Sequence, residues 1–118
     1  MKTHLELGKK GEEIAVQFLR LKGYDIAERN WRYRRAEIDI IAKKNEKLIF
    51  IEVKTRSTDY FGNPEKFVTQ RKRNLVAQAA GAYLIKSSHD WMIRYDVVAI
   101  ILKKDRTYSI THFEDAFF

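Results

Sequence analysis

Four ionisable residues stand in two short segments rich in isoleucine and valine. Glu37 and Asp39 belong to the run Glu37, Ile38, Asp39, Ile40, Ile41; Glu52 and Lys54 belong to the run Ile51, Glu52, Val53, Lys54. Both runs read as strands, over 37–42 and 48–56, and residues 43–47, with Asn45 in the middle, read as the turn between them. If the loop is residues 44–47, Lys43 pairs with Leu48. Counting outward then sets Asp39 opposite Glu52 and Glu37 opposite Lys54. Opposed residues share a face, and side chains alternate along each strand. One face would carry Glu37, Asp39, Glu52 and Lys54, with Ile41 and Phe50 toward the turn. The other would carry Ile38, Ile40, Ile49, Ile51 and Val53. A loop one residue different would put Asp39 and Glu52 on opposite faces, so the cluster depends on register.

Two opposed carboxylates about 5 Å apart repel unless something cationic lies between them. A hard divalent cation, Mg²⁺ or Mn²⁺, suits oxygen ligands and is commonly held by one or two carboxylates plus substrate phosphate. The backbone carbonyl of Val53 could add a ligand. Lys54 could orient or deprotonate an attacking water, or stabilise charge building on a phosphate. The competing reading is an ordinary solvated strand face with Glu37–Lys54 and Asp39–lysine pairs.

Several other residues bear on that chemistry. The first segment reads as a helix from a Thr3–Glu6 capping box to a stop at Gly23, with Leu7, Gly11, Ile14, Ala15, Phe18 and Leu21 along its apolar stripe. Glu12 lies at the edge of that stripe beside Gly8, Ala15, Val16 and Leu19. Glu13 lies with Lys9, Lys10, Gln17 and Arg20 on a solvated face. Residues 24–29 read as a short strand and 30–35 as a basic, aromatic connector. There Arg29, Arg32, Arg34 and Arg35 alternate with Trp31 and Tyr33, a combination suited to phosphate contact and base stacking, or else a solubilising loop with Trp31 in a satellite core. Lys66, Arg71, Lys72 and Arg73, with Gln70 beside them, form a second basic cluster. Asn63 and Pro64 mark a helix start, and the helix, broken near Thr69, runs to about Lys86. Its apolar positions are Leu75, Val76, Ala79, Ala80, Tyr83 and Leu84. A strand within 91–102, continuously apolar from Val97, and a last strand over 108–113 complete the order α-β-β-β-α-β-β, a mixed sheet flanked by helices. His4, His89 and His112 have no metal-ligand spacing and read as incidental. Asp96, inside an apolar strand, reads as a hydrogen-bonding group in preference to a catalytic one.

Composition narrows the classes. The chain has 118 residues, 45% hydrophobic and 13% aromatic, enough for one domain over 1–118 with an ordinary core. The absence of cysteine excludes a disulfide scaffold, thiolate catalysis and a cysteine zinc site. No apolar run is long enough to span a bilayer, and residues 1–4 do not lead into a signal-peptide core, so a cytoplasmic setting is expected. Lys and Arg number 23 against 16 Asp and Glu, a net charge of +7 that favours polyanionic partners, nucleic acid before a membrane surface. RNA-binding structural proteins share that signature, so charge alone does not specify an enzyme.

The runs Glu37–Ile–Asp–Ile–Ile and Ile–Glu52–Val–Lys54–Thr–Arg56 resemble the signature of PD-(D/E)xK nucleases, the restriction-endonuclease-like superfamily. The closer resemblance is to the YraN-like family of small bacterial proteins, related in fold to archaeal Holliday junction resolvases. It extends over nearly the whole chain: Gly8, Gly11, Glu12 and Ala15; Gly23 and Tyr24; Asn30, Trp31 and Arg32; Gly62, Pro64 and Lys72; the stretch from Ala80 to Leu84; Arg94 to Val98; and Ala116 and Phe117. Ala36 is a departure, standing where the family usually has glycine. The resemblance implies an αβββαβ core and a Mg²⁺- or Mn²⁺-dependent endonuclease. Asp39, Glu52, Glu12 and the Val53 carbonyl would be metal ligands, and Lys54 would assist phosphodiester hydrolysis. Arg29, Arg32, Arg34, Arg35, Arg56, Gln70 and Lys72 would contact nucleic acid, DNA in preference to RNA and branched DNA among the candidates. By analogy with resolvases a homodimer is a plausible assembly. The rival readings are a non-catalytic nucleic-acid-binding module and a scaffold subunit on the same fold. Substrate structure, pathway and oligomeric state are not specified by the residues.

Overall fold

The computed structural model describes residues 4–57, 69–88 and 91–116. Its elements are α1 (His4–Leu21), β1 (Asp25–Tyr33), β2 (Ala36–Lys44), β3 (Lys47–Arg56), α2 (Gln70–Ser87), β4 (Met92–Leu102) and β5 (Tyr108–Phe113). The strands form one sheet in the order β1-β2-β3-β4-β5. Neighbours are antiparallel except β3 and β4, which run parallel over Lys47–Arg56 and Met92–Ile101. A parallel pair needs a crossover, and α2 lies in it. The fold is the mixed α/β arrangement with the αβββαβ core expected from the sequence.

The sheet is buried on both faces, which is why its central strands are runs of isoleucine and valine. On the α2 side, Ile41, Leu48, Phe50 and Val97 pack against Val76, Ala79, Ala80 and Tyr83. On the α1 side, Ile40, Ile49, Ile51, Val98 and Ile100 pack against Ala15, Val16 and Leu19. The α2 positions named from periodicity are those that pack. On α1 the stripe is rotated slightly: Gly11, Ala15, Val16 and Leu19 are buried, while Leu21, expected on the stripe, is 89% exposed. Leu21 sits at the last residue of the helix, where the chain turns away through Gly23 (φ 88°) and Tyr24 enters the core instead.

The hairpin register is the expected one from the turn to Ile40–Ile51, but the expected Asp39–Glu52 and Glu37–Lys54 pairs do not form, because the ladder ends there. Lys43 pairs with Leu48 and Ile40 with Ile51. The turn is tighter than a four-residue loop, because Lys44 and Lys47 also pair. Asn45 (φ 51°) and Glu46 (φ 62°) both take left-handed backbone, as a two-residue turn matching strand twist requires. Shortening the loop by one residue from each strand leaves the register unchanged.

Two boundaries differ from expectation. Residues 30–33 are strand, so the supposed connector shrinks to a turn at Arg34 and Arg35. Pairing to the apolar β2, with Trp31 opposite Ile38 and Tyr33 opposite Ala36, outweighs the local basic character. The described α2 begins at Gln70, capped by Thr69, whose hydroxyl accepts the Lys72 N–H at 3.1 Å. The helix start expected at Asn63 and Pro64, with Gly62 and Lys66, lies outside the described residues.

Candidate metal and phosphodiester site

Side-chain alternation along β2 breaks at Asp39. Ala36, Ile38 and Ile41 pack on the α2 side, whereas Ile40 and Ala42 pack on the α1 side. Ile38 therefore does not share a face with Ile40, contrary to strict counting from the hairpin. Across on β1, Asn30 takes φ 52°, a conformation asparagine tolerates better than most residues. Neither Asn30 nor Asp39 joins the ladder between Arg29–Ile40 and Trp31–Ile38. On the other edge the β2–β3 ladder stops at Ile40–Ile51, while β3 stays paired with β4 as far as Arg56. Strands β2 and β3 thus part at Asp39. Its Oδ2 accepts the Val53 N–H at 2.8 Å, supplying an acceptor where the ladder with β2 no longer does.

This split gathers the acidic groups. Glu52 is 6% exposed and lies on the α2 side. Its Oε1 is 3.4 Å from Lys54 Nζ and its Oε2 3.5 Å from Lys72 Nζ, a lysine on the first turn of α2. Burial first, and then the charge of Glu52, push the Asp39 carboxyl up to about 8, against the pull of the Val53 N–H; the Glu12 charge adds to the rise and Lys72 opposes it. From α1, Glu12 approaches the same region. Its carboxyl is also raised, by burial above all and by Glu37 and Glu52, against an Asn30 hydrogen bond and Arg29. Glu13, one position on, pairs with Arg29 at 3.1 Å and faces solvent. The two glutamates thus point as helix phase predicts.

Glu37 does not meet Lys54, though its charge still reaches Glu12. The alternation break turns it away from Lys54, and it pairs instead with Arg32 at 2.8 Å. Among the described residues no three carboxylate or imidazole groups form a cation cage by themselves. The donor set is two or three carboxylates around a strand opening, beside the Val53 backbone. Such a set suits a hard cation that keeps waters and takes further oxygens from a phosphate. Burial leads the rise of both Asp39 and Glu12, and the neighbouring carboxylates, Glu52 in both cases, add to it.

Close approach of α1 to β3 sets this geometry. A Cβ at Gly11 would collide with the Thr55 side chain, lying 2.8 Å from its Cβ and nearer still to its hydroxyl. Gly11 thereby lets the helix seat next to the strand that carries Glu52 and Lys54, with Glu12 facing the opening.

The expected nucleic-acid contacts are more dispersed. Arg29 is tied to Glu13 and Arg32 to Glu37. Arg34 lies over the Tyr33 ring at 5.2 Å, and Arg35 is in the exposed turn. Arg56 donates to the Thr55 carbonyl at 2.9 Å, and Gln70 to Asn74 at 2.9 Å. Trp31 meets Tyr83 of α2 edge-on at 5.2 Å, so it belongs to the α2-side core more than to a stacking platform. Lys72, foreseen as a phosphate contact, sits beside Glu52 inside the site. Asn30 was not foreseen; its signal was an asparagine interrupting a strand opposite the aspartate.

Asp96 is fully buried away from this cluster, on the α1 side of β4. It accepts two bonds from Arg94 (2.9 and 2.8 Å), one from His112 Nε2 (2.7 Å) and one from the Asp115 N–H (3.0 Å). With Nε2–H donating, Nδ1 is left to accept from Lys22 at 3.2 Å. Burial opposes ionisation of Asp96, but the His112 and Arg94 bonds prevail and hold it below the usual range. His112, expected to be incidental, is thus a buried partner that ties β5 to β4.

The layered α/β sheet with acidic residues at a split between its second and third strands defines a restriction-endonuclease-like domain. The model of the family described as "Uncharacterised protein family UPF0102" matches residues 11–100. Full-length similarity agrees. A UPF0102 protein of Christiangramia forsetii is 51% identical over 118 residues, covering 100% of this chain and 98% of the relative. One of Flavobacterium psychrophilum is 47% identical with the same coverage, and one of Alkaliphilus oremlandii 40% identical over 95% of this chain and 97% of the relative. The chain belongs to the UPF0102, or YraN, family.

Proposed function

We propose that this protein is a divalent-metal-dependent nuclease that hydrolyses phosphodiester bonds in DNA, with branched DNA as a candidate substrate. The observation that carries the reading is the Asp39 carboxyl held on the Val53 N–H where β2 opens from β3, beside buried Glu52 and its two lysines. Carboxylates brought together at a buried strand opening are relieved by a proton or by a cation, and a bound cation would favour the ionised Asp39 over the protonated one. Asp39, Glu52 and Glu12 would hold Mg²⁺ or Mn²⁺, with the Val53 carbonyl as a further donor. When bound, such an ion supplies Lewis acidity at the phosphate and makes water a stronger nucleophile.

The remaining roles belong to the chain's own side chains. Lys54, 3.4 Å from Glu52, is placed to orient the water or to stabilise charge growing on the phosphate. Lys72, reaching Glu52 from the other helix, fixes the carboxylate from a second direction. The surplus of positive charge attracts the substrate backbone. A homodimer would present two such sites for paired cuts. The test is calorimetric titration of Mn²⁺ into the wild type and Asp39→Asn. Wild-type binding that the Asn variant loses supports the site; equal binding by both would remove Asp39 from it.

A further inference from the structure

A cleft of about 740 Å³ opens at the end of β3 and β4, between the N-terminal half of α1 and the β4–β5 turn. Its charged lining is Lys10, Lys103, Lys104 and Arg106, and Ser57 adds a hydroxyl. Leu7 and Leu102 give it an apolar wall, and no acidic residue lines it among the described residues. The turn that presents three of these cations is braced. Lys103 N–H donates to the Thr107 carbonyl at 2.9 Å, and Arg106 N–H to the Lys103 carbonyl at 3.2 Å. Asp105, the turn's acid, is drawn back onto the Thr107 amide at 3.0 Å and its hydroxyl.

The cleft lies at the end of the strand that carries the candidate site, but on the α1 side, where Leu7 and Leu102 pack, whereas Glu52 and Lys54 are on the α2 side, so a path between them passes over the end of β3. Ser57 follows Lys54 by three residues, about 10 Å at the rise of a β-strand. One DNA strand carries a phosphate about every 3.4 Å along the helix axis and at wider spacing along its own backbone, so the cleft is within a few nucleotides of the site. The geometry points to a track for the nucleic-acid backbone: the phosphates flanking the scissile one run from Lys54 over the end of β3, past Ser57, into the cleft on the α1 side, onto Lys10, Lys103, Lys104 and Arg106. This rests on the nuclease reading and adds to it a binding path that none of the residues singled out from the sequence describes. A polymer strand fits a concave, open channel better than a flat lipid surface does. The lining lacks aromatic rings and amide side chains among the described residues, so recognition is of phosphate and not of base.

Lys103 and Lys104 are exposed, which makes Lys103→Ala/Lys104→Ala a conservative probe of the track. The measurement is anisotropy of a labelled duplex across a salt series. It includes Arg20→Ala/Lys47→Ala, with equal charge loss at the far end of the sheet, and Asp39→Asn, in the site. Vesicles of phosphatidylserine are assayed in parallel. The track predicts about ten-fold weaker DNA binding and a log–log salt slope flatter by about two units for the Lys103/Lys104 variant alone. Asp39→Asn should bind at least as well as the wild type while losing cleavage. DNA binding by the wild type with no difference between the two charge variants would overturn the track and leave the nuclease reading standing. A wild type that binds no DNA would overturn both, and an effect confined to vesicles would assign the cleft to lipid.

Discussion

At the residue scale the decisive group is Asp39, because burial and Glu52 make its ionisation unfavourable. The unfolded carboxyl titrates near 3.9, and the folded one at about 8. The neutral form is the one favoured by folding, so the contribution is fully present below about pH 3.9 and is lost as pH rises through about 8. Thermal melts in EDTA should therefore show Asp39→Asn, which keeps an acceptor for Val53, gaining on the wild type from pH 5 to pH 9. Saturating Mg²⁺ should close that gap. A constant difference across the range would mean that Asp39 is not electrostatically frustrated. Lys54→Ala should slow metal-dependent cleavage by on the order of 10²-fold, the scale for removing a group that stabilises developing charge. Glu12→Gln should cut activity strongly, whereas Glu13→Gln, which loses only an exposed pair with Arg29, should leave melt and cleavage unchanged. Inactivity in the Glu13 variant with normal Glu12→Gln would reverse the helix phase. The residue types and the register up to Ile40–Ile51 were readable from spacing, but the expected pairing of Asp39 with Glu52 is not in the ladder, because the strands part there. The departure of Glu37 from Lys54 was not readable, because a single left-handed residue on the neighbouring strand shifts alternation without any mark in β2 itself.

At the element scale, α1 is positioned by a missing side chain. Gly→Ala inside a helix ordinarily stabilises by about 1 kcal/mol. At Gly11 the added methyl meets Thr55, and overpacking of this kind costs about 1–3 kcal/mol. Gly11→Ala should therefore lower the urea midpoint, and Thr55→Ala in the same chain should return part of the loss. A stabilised Gly11→Ala would show that the helix is not seated against β3. The second element-scale device is the Asp96 cluster. Asp96→Asn removes the charge that Arg94 and His112 share, leaving Arg94 with Tyr24 and Glu114 and His112 with an amide, an effect of about 3 kcal/mol. Its folded carboxyl is lowered, so its contribution is present above the unfolded value near 3.9 and lost as pH falls through the folded one. The acid limb of stability should belong to Asp96 and the alkaline limb to Asp39, and melts of the two variants across pH separate them. Helix stripes, strand order and hairpin register were legible because period and turn chemistry agree over many residues. The Asp96–His112 contact was not, since the two residues are 16 apart and meet only when β5 folds back on β4.

At the scale of the whole molecule, the αβββαβ layout places acids from α1, β2 and β3 and lysines from β3 and α2 around one opening. On the proposed reading, the charge of +7 would draw a polyanion toward that opening. Among the described residues no helix is long and apolar enough to cross a membrane. The basic stretch around Trp31 looked in the sequence like a nucleic-acid platform. Folding packs Trp31 on Tyr83, as the alternative of a satellite core expected, and pairs Arg29 and Arg32 with acids, while Arg34 and Arg35 stay exposed in the turn. The cleft at Lys103 and Arg106 was invisible because its cations come from segments about 90 residues apart in the chain. The central claim, that Asp39 and Glu52 hold a metal for phosphodiester hydrolysis, is met most directly by one cleavage panel. It takes the wild type, Asp39→Asn and Glu52→Gln over four-way junctions, flaps, single strands and duplexes, in Mg²⁺, Mn²⁺, Ca²⁺ and EDTA. The prediction is cleavage of at least one substrate by the wild type in Mg²⁺ or Mn²⁺ and none in EDTA, with both variants folded and inactive. Cleavage at the wild-type rate by both variants, or none by the wild type on any substrate with either metal, would contradict it.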